Sequence, residues 1–161
     1  DRTPSATGCT ELATAIDILP TFVGLAGGRV PEDRPIDGKD ISPLITGEPG
    51  ARTPHDAFFY YFLNELQAVR SGNWKLKLET KLIHEDKYVY ARRNDPHKEA
   101  TIPEALYNLY VDPGEQKSVL QDHPDIVERL LALIANARRD MGDSATNTPG
   151  ENVRPIGMIE R

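Results

Sequence analysis

Hydrophobic and polar side chains alternate strictly along one stretch of the chain, within residues 66–79. Trp74, Leu76 and Leu78 alternate with charged residues, and this period of two predicts a strand with one buried face. The preceding Gly72-Asn73 pair tolerates positive φ, which suits the two-residue turn of a hairpin. The pattern therefore predicts a β-hairpin.

This turn fixes the register of the hairpin. It implies three cross-strand pairs: Arg70 with Lys75, Val69 with Leu76, and Ala68 with Lys77. Three cations then share the face opposite the core. Because like charges directly opposite each other are destabilising, we expect an acidic neighbour or an anion on that face. The alternative is a solvated face whose long side chains splay apart.

Other segments supply the remaining elements. The aromatic run at 58–62 and residues 105–109 predict strands. Pro124 begins a helix with apolar residues at helical spacing, and Gly142 ends it. A first helix is predicted over 11–26, where Pro20 should end it, kink it or open a second helix.

A Pro/Gly-rich loop follows over 29–54, with one helical turn near Pro43. These elements predict an α+β fold: about four antiparallel strands packed by a C-terminal amphipathic helix, with an N-terminal helix and a long loop.

Composition narrows the class of protein. The chain has 161 residues, about one domain, and its net charge of −6 argues against nucleic acid as a main partner. The sequence contains no run of about 18 apolar residues, so no membrane-spanning helix is predicted. A start without Met predicts a piece of a longer or processed protein.

Spacing alone predicts no complete active site. The four histidines lack metal-ligand spacing, the glycines form no phosphate loop, and no serine lies in a nucleophile elbow. The single Cys9 lacks a close basic neighbour, which favours an inert side chain.

The short motifs, taken in their order along the chain, indicate more about the protein than the spacing of single residues does. It resembles the C-terminal third of type I sulfatases, the arylsulfatase family. Asn108 and Ser118 depart from that pattern, where the family usually has Asp and Asn, and both lie in surface turns. The motifs are IDILPT at 16–21, LAG at 25–27, IDGKDISPL at 36–44, FFYY at 58–61, AVRSGNWKL at 68–76, LYNL at 106–109 and DPGE at 112–115.

The resemblance implies a parent enzyme that hydrolyses sulfate esters with formylglycine and calcium, both held in a large N-terminal domain. Formylglycine forms at Cys or Ser in Cys/Ser-x-Pro-x-Arg, and Cys9 is followed by Thr10-Glu11 instead. The chain is thus expected to be an inactive C-terminal fragment without cofactor of its own. Its expected parts are 1–56, packing on the missing domain, a subdomain at 57–142, and a polar tail at 143–161.

Expected partners are that N-terminal domain and, through the parent, a sulfated small molecule or glycan. The exposed apolar surface could also form a homodimer. Neither nucleic acid nor a membrane is an expected partner. The resemblance implies a periplasmic, secreted or lysosomal-type parent. By position, His84 matches a segment near the substrate pocket, although an exposed loop histidine is an equal alternative. Arg70 and Lys75 are the other candidate substrate contacts, and the face that they share with Lys77 could instead meet the large domain.

Two other functions stay open at this point. A phosphonate or phosphate monoesterase of the same alkaline-phosphatase-like superfamily would have a similar C-terminal part. A non-catalytic module could instead bind an acidic glycan through the cationic hairpin face.

Overall fold

A computed structural model describes residues 3–4, 8–81 and 101–153. The chain forms two compact units, Asp1–Asp56 and Ala57–Arg161. Among the described residues, no helix combines the length and apolar character needed to cross a membrane.

The second unit is built on a four-stranded sheet. Its strands are β1 (Phe58–Phe62), β2 (Glu65–Ser71), β3 (Trp74–Lys77) and β6 (Ala105–Asn108), in the spatial order β1-β2-β3-β6. All neighbouring strands pair antiparallel, and β1 carries an irregularity between Tyr60 and Tyr61. The small antiparallel sheet predicted from the sequence is confirmed.

The hairpin between β2 and β3 has the predicted register. Arg70 pairs with Lys75, Val69 with Leu76, and Ala68 with Lys77. Gly72 adopts a φ of 57°, in the left-handed region that glycine enters without steric cost.

One face of the sheet packs on the helix α3 (Pro124–Met141). Pro124 opens the helix after His123, and Gly142 caps its end, as the sequence predicts. Leu76 is fully buried, whereas Trp74 is half-buried and lies against the His123 ring at 4.8 Å between centroids. The fully buried apolar side chains are Leu66, Val69, Leu76, Leu106, Leu130 and Ile134.

Two short strands were not expected from the sequence. β4 (Thr80–Lys81) pairs with β5 (Thr101–Ile102) as a separate two-stranded sheet. Two residues per strand give too little periodicity to detect. The predicted extension of the sheet at residues 88–90 lies outside the described residues.

The segment after α3 differs from the expected loose polar tail over its first part. Asp143 is buried, and its carboxylate accepts hydrogen bonds from the backbone N–H of Leu66 and of Ala145. Arg138 donates its Nε–H to the same carboxylate at 2.8 Å. A short 3₁₀ helix, Ser144–Thr146, follows. One buried acid therefore ties this segment to β2 and to the end of α3.

The first helix begins later than the sequence predicts. Residues 11–14 are not helical; a 3₁₀ turn at Ala15–Asp17 leads into α1 (Ile18–Leu25). Pro20 lies in the first turn of α1, where its missing N–H costs no helical hydrogen bond. The predicted helical turn near Pro43 is present as α2 (Ser42–Thr46).

α1 leaves most of its apolar side chains exposed, among them Phe22 at 62% and Leu19 at 53%. Its apolar side chains therefore do not share one buried stripe.

Candidate functional site

The second face of the sheet, opposite α3, carries the cations singled out by the sequence. Directly paired residues of an antiparallel sheet share a face, so the register defines this face without ambiguity. We call it the cationic face. It comprises Phe58, Tyr60, Ala68, Arg70, Lys75, Lys77, Ala105 and Tyr107.

Lys75 has the acidic neighbour that its position predicts. Its Nζ lies 2.6 Å from Glu115 Oε1, and it also sits 4.8 Å from the centroid of the Tyr60 ring. Both lysine and glutamate are mostly shielded from water. The ion pair and the cation–π contact together neutralise and orient this lysine.

Glu115 reaches Lys75 because of the turn after β6. Asp112 accepts hydrogen bonds from the backbone N–H of Gln116 and Lys117, and these bonds hold the pKa of its carboxyl below the usual range. Glu115 itself has a φ of 53°, an uncommon conformation for a residue with a side chain. The Asp-Pro-Gly-Glu turn predicted from the sequence therefore delivers an acid to the cationic face.

Arg70 lies directly opposite Lys75 and makes a weaker contact. Its Nε–H donates to the carbonyl oxygen of Gly72 at 3.1 Å. The structure thus brings Arg70 and Lys75 together. His84, the third predicted substrate contact, lies outside the described residues.

Lys77 differs from the other two cations. Its Nζ is shielded from solvent and has no hydrogen-bond partner among the described residues. Burial and then the nearby Lys75 charge lower the pKa of Lys77, while Glu115 opposes the shift. A buried ammonium without a partner is costly, since it loses its hydration without compensation.

The sequence carried a signal for this burial that was missed. Lys77 lies between Ala68 on β2 and Ala105 on β6, and both alanines are buried. Small residues on both sides of a lysine leave its side chain close to the sheet instead of splayed into water. The pairing with β6 supplies one of these neighbours, and the hairpin pattern alone did not predict it.

A second polar cluster lies in the first unit, around Asp17. Its side chain is buried, and His55 Nε2 lies 2.7 Å from its Oδ1. The backbone N–H groups of Thr14 and Lys39 donate to the same carboxylate. Burial would raise the pKa of Asp17, but the hydrogen bonds from Lys39, Thr14 and His55 outweigh it and hold that pKa below its usual range.

The cationic face holds hydrogen-bond donors suited to anions, and the Asp17 cluster joins loop segments. Among the described residues, no three His, Cys, Asp or Glu side chains are arranged to hold a metal ion. Cys9 is exposed, and Glu11 stands two residues after it, where the Cys/Ser-x-Pro-x-Arg motif has proline.

Comparison with known proteins places this arrangement in a family. Residues 53–157 match the family model described as the C-terminal region of aryl-sulfatase. This range contains the four-stranded sheet and α3.

Curated relatives agree over most of the chain. Human arylsulfatase A is 35% identical over 76% of this chain and 26% of its own length. Mouse steryl-sulfatase is 34% identical over 80% of this chain and 22% of its own. Human arylsulfatase D is 32% identical over 79% of this chain and 23% of its own. The chain thus spans about a quarter of the length of these relatives.

Solved structures show the same fold. The PsFucS1 sulfatase from Pseudoalteromonas sp. superposes with a TM-score of 0.52 at 19% identity, over 76% of this chain and 25% of that one. A sulfatase from Bacteroides thetaiotaomicron superposes with a TM-score of 0.51 at 23% identity, over 76% and 24%. With the family match over more than half of the sequence, the chain belongs to the arylsulfatase family, as its C-terminal region.

Proposed function

We propose that this chain is the C-terminal part of a longer sulfatase, an enzyme that hydrolyses sulfuric esters. The match of residues 53–157 to the aryl-sulfatase C-terminal region carries the proposal. The coverage of only about a quarter of each relative supports a longer protein with a preceding catalytic domain.

In this proposal the chain completes the fold and does not perform the chemistry. Formylglycine and calcium, as expected for the family, would belong to the preceding domain. The described residues form no cluster suited to a metal ion, and Cys9 does not lie in a Cys/Ser-x-Pro-x-Arg motif. The role of the chain is to supply the sheet and helix on which part of the substrate-pocket rim is built.

Arg70 and Lys75 are the proposed rim residues in the described part of the chain. His84, outside the described residues, is the third proposed rim residue. A sulfate ester carries a negative charge, and Arg presents a planar set of donors that suits oxyanions. Lys75 already has Glu115 as a partner, so Arg70 has the greater free donor capacity for a ligand.

The test is an assay of the longer gene product with a chromogenic aryl sulfate, beside the 161-residue chain alone. We expect calcium-dependent turnover by the longer protein and none by the chain. The matching aryl phosphate separates a sulfatase from a phosphate monoesterase. Turnover of aryl sulfate by the isolated chain, or a preference of the longer protein for phosphate, would contradict the proposal.

Substitutions test the rim separately. In the longer protein, Arg70→Gln should raise KM for an anionic sulfate ester with a smaller change in kcat, because it removes ground-state binding. Lys117→Gln, which removes an exposed cation elsewhere, is the control. If both variants have equal KM and kcat, Arg70 does not contact the substrate at the pocket rim.

A further inference from the structure

Glu115 is held by its turn in a conformation that residues with side chains seldom adopt. Its φ is 53°, in the left-handed region, and such strain persists only where the surrounding contacts fix it. The Glu115 N–H donates to the Asp112 carbonyl oxygen at 3.2 Å. The Asp112 carboxylate accepts from the N–H groups of Gln116 and Lys117 at 3.0 and 2.9 Å. The turn after β6 therefore holds one acid against the cationic face.

The ion pair that this acid forms with Lys75 differs from a surface pair. The side chains of Lys75 and Glu115 are 17% and 32% exposed, whereas those of Arg34 and Asp33, an ion pair in the long loop, are 54% and 63% exposed. Partial burial lowers the effective dielectric constant, and this strengthens the attraction between opposite charges. The Tyr60 ring contacts the same ammonium. Lys75 and Glu115 therefore act toward a ligand as one neutral unit.

The hairpin end of the cationic face is the part that a charged ligand can reach. The centre of the face is buried within the chain, since Ala68 and Ala105 are buried and the Lys77 Nζ is shielded from solvent. Arg70, near the turn, is partly exposed, and no acid of the described residues forms an ion pair with it. Its hydrogen bond to Gly72 uses Nε, so the other N–H groups of the guanidinium stay available. This end of the face therefore offers an anion one unpaired positive charge.

We propose that Glu115 is a specificity-determining residue that limits the pocket rim to one anionic group. The substrate class is then a sulfate ester with a single negative charge. A second sulfate or a carboxylate on the substrate would be repelled by Glu115 at the place where an unpaired Lys75 would attract it. The inference rests on the proposed function, which puts Arg70 and Lys75 at the rim.

A pair of substrates tests the role of Glu115 in the longer protein. One is a nitrophenyl sulfate, and the other is the same ester with a carboxylate on its ring. We expect Glu115→Gln to lower KM for the carboxylated ester roughly fivefold relative to the plain ester, the factor for two unit charges about 4 Å apart in water. Glu128→Gln, which removes an exposed acid from α3, should leave this KM ratio unchanged.

Further measurements separate an effect of charge from an effect on packing. The double variant Glu115→Gln and Lys75→Gln should return the KM ratio to that of the unsubstituted protein, because the pair is then removed as a neutral unit. Lys75→Gln alone should raise KM for the carboxylated ester more than for the plain one, since Glu115 is left unpaired. Both shifts should shrink in about 1 M sodium chloride, where the screening length is about 3 Å. A change in packing alone would alter KM for both esters alike.

The outcomes distinguish this inference from the proposed function. An active longer protein in which Glu115→Gln keeps the original KM ratio, or in which the double variant does not restore it, would overturn the role of Glu115 and leave the proposed function in place. A longer protein that hydrolyses neither ester would overturn both.

Discussion

Asp17 stabilises three segments of irregular chain with a single carboxylate. It accepts hydrogen bonds from Thr14 ahead of the 3₁₀ turn, from Lys39 in the long loop and from His55 at the end of the unit. Ordering such a loop costs conformational entropy, and the loop buries little apolar surface that could offset this cost. The acid replaces regular secondary structure as the source of order here.

Replacing this acid should loosen the loop. We expect Asp17→Asn to speed amide exchange at Lys39 by roughly 5- to 150-fold, the range for about 1–3 kcal/mol lost at a buried hydrogen-bonded group. Asp122→Asn, at an exposed acid, is the control. NMR hydrogen exchange measures both, and equal protection of Lys39 in the two variants would contradict the role of Asp17.

The same group gives the first unit a pH dependence with a defined sign. The pKa of Asp17 is lowered in the folded protein, so its contribution is fully present above the unfolded carboxyl pKa of about 3.9. That contribution is lost as the pH falls through the lower folded pKa. Protection of the Lys39 amide should therefore fall in acid more steeply in the parent chain than in Asp17→Asn.

Individual residues mark the limit of prediction from the sequence. Alternation and a Gly-Asn turn were sufficient to place Arg70 opposite Lys75, because a strand has only two faces and the turn fixes the register. The burial of Lys77 was not predicted, since it depends on Ala105, a residue 28 positions away by number that the sheet places beside it. Asp17 was likewise missed, because its partners lie in loops that carry no periodic signal.

At the scale of elements, the sheet depends on a core that β3 shares with α3. Leu76 is fully buried and Trp74 only half-buried. We therefore expect Leu76→Ala to lower the free energy of unfolding by about 2–5 kcal/mol. Trp74→Ala should cost less than the 3–5 kcal/mol typical of a fully buried aromatic residue. Denaturation followed by circular dichroism measures both, and a larger loss for Trp74→Ala would place the core nearer to the start of α3.

The turn after α3 makes its own contribution through Asp143. Removing this carboxylate leaves the Leu66 N–H without its acceptor and the Arg138 guanidinium without its partner. We expect Asp143→Ala to cost about 1–3 kcal/mol, the range for leaving a buried hydrogen-bonding group unsatisfied, since the Arg138 side chain is itself partly exposed. Glu128→Ala, at an exposed position in the same helix, is the control. Equal melting of the two variants would show that the turn adds little to the second unit.

Elements were predictable where their signals are local. Pro124 and Gly142 marked both ends of α3, since each acts through its own backbone. The first helix began later than predicted because Glu11 and Leu12 are bonded to the loop. Thr53 donates its hydroxyl to the Leu12 carbonyl, and its N–H donates to the Glu11 carboxylate. A local sequence pattern does not reveal that a distant segment will compete for these hydrogen bonds.

At the scale of the whole molecule, α1 and the 3₁₀ turn before it form an uncovered apolar surface among the described residues. Ile16, Ile18, Leu19, Phe22 and Leu25 each expose about half of their surface or more. A contiguous apolar patch beyond a few hundred Å² is unusual for a monomer and marks an interaction surface. In the proposed longer protein, the preceding domain would cover it.

The isolated chain should then self-associate through this helix. We expect its weight-average mass in sedimentation equilibrium to rise with concentration, since burial of apolar surface contributes about 25 cal/mol per Å². The double variant Leu19→Ser and Phe22→Ser should remain closer to the monomer mass. Tyr110→Ser, which removes an even more exposed aromatic residue from the second unit, should associate like the parent. If the parent stays monomeric over the accessible range, or if all three proteins associate alike, α1 is not the surface that the missing part of a sulfatase would cover.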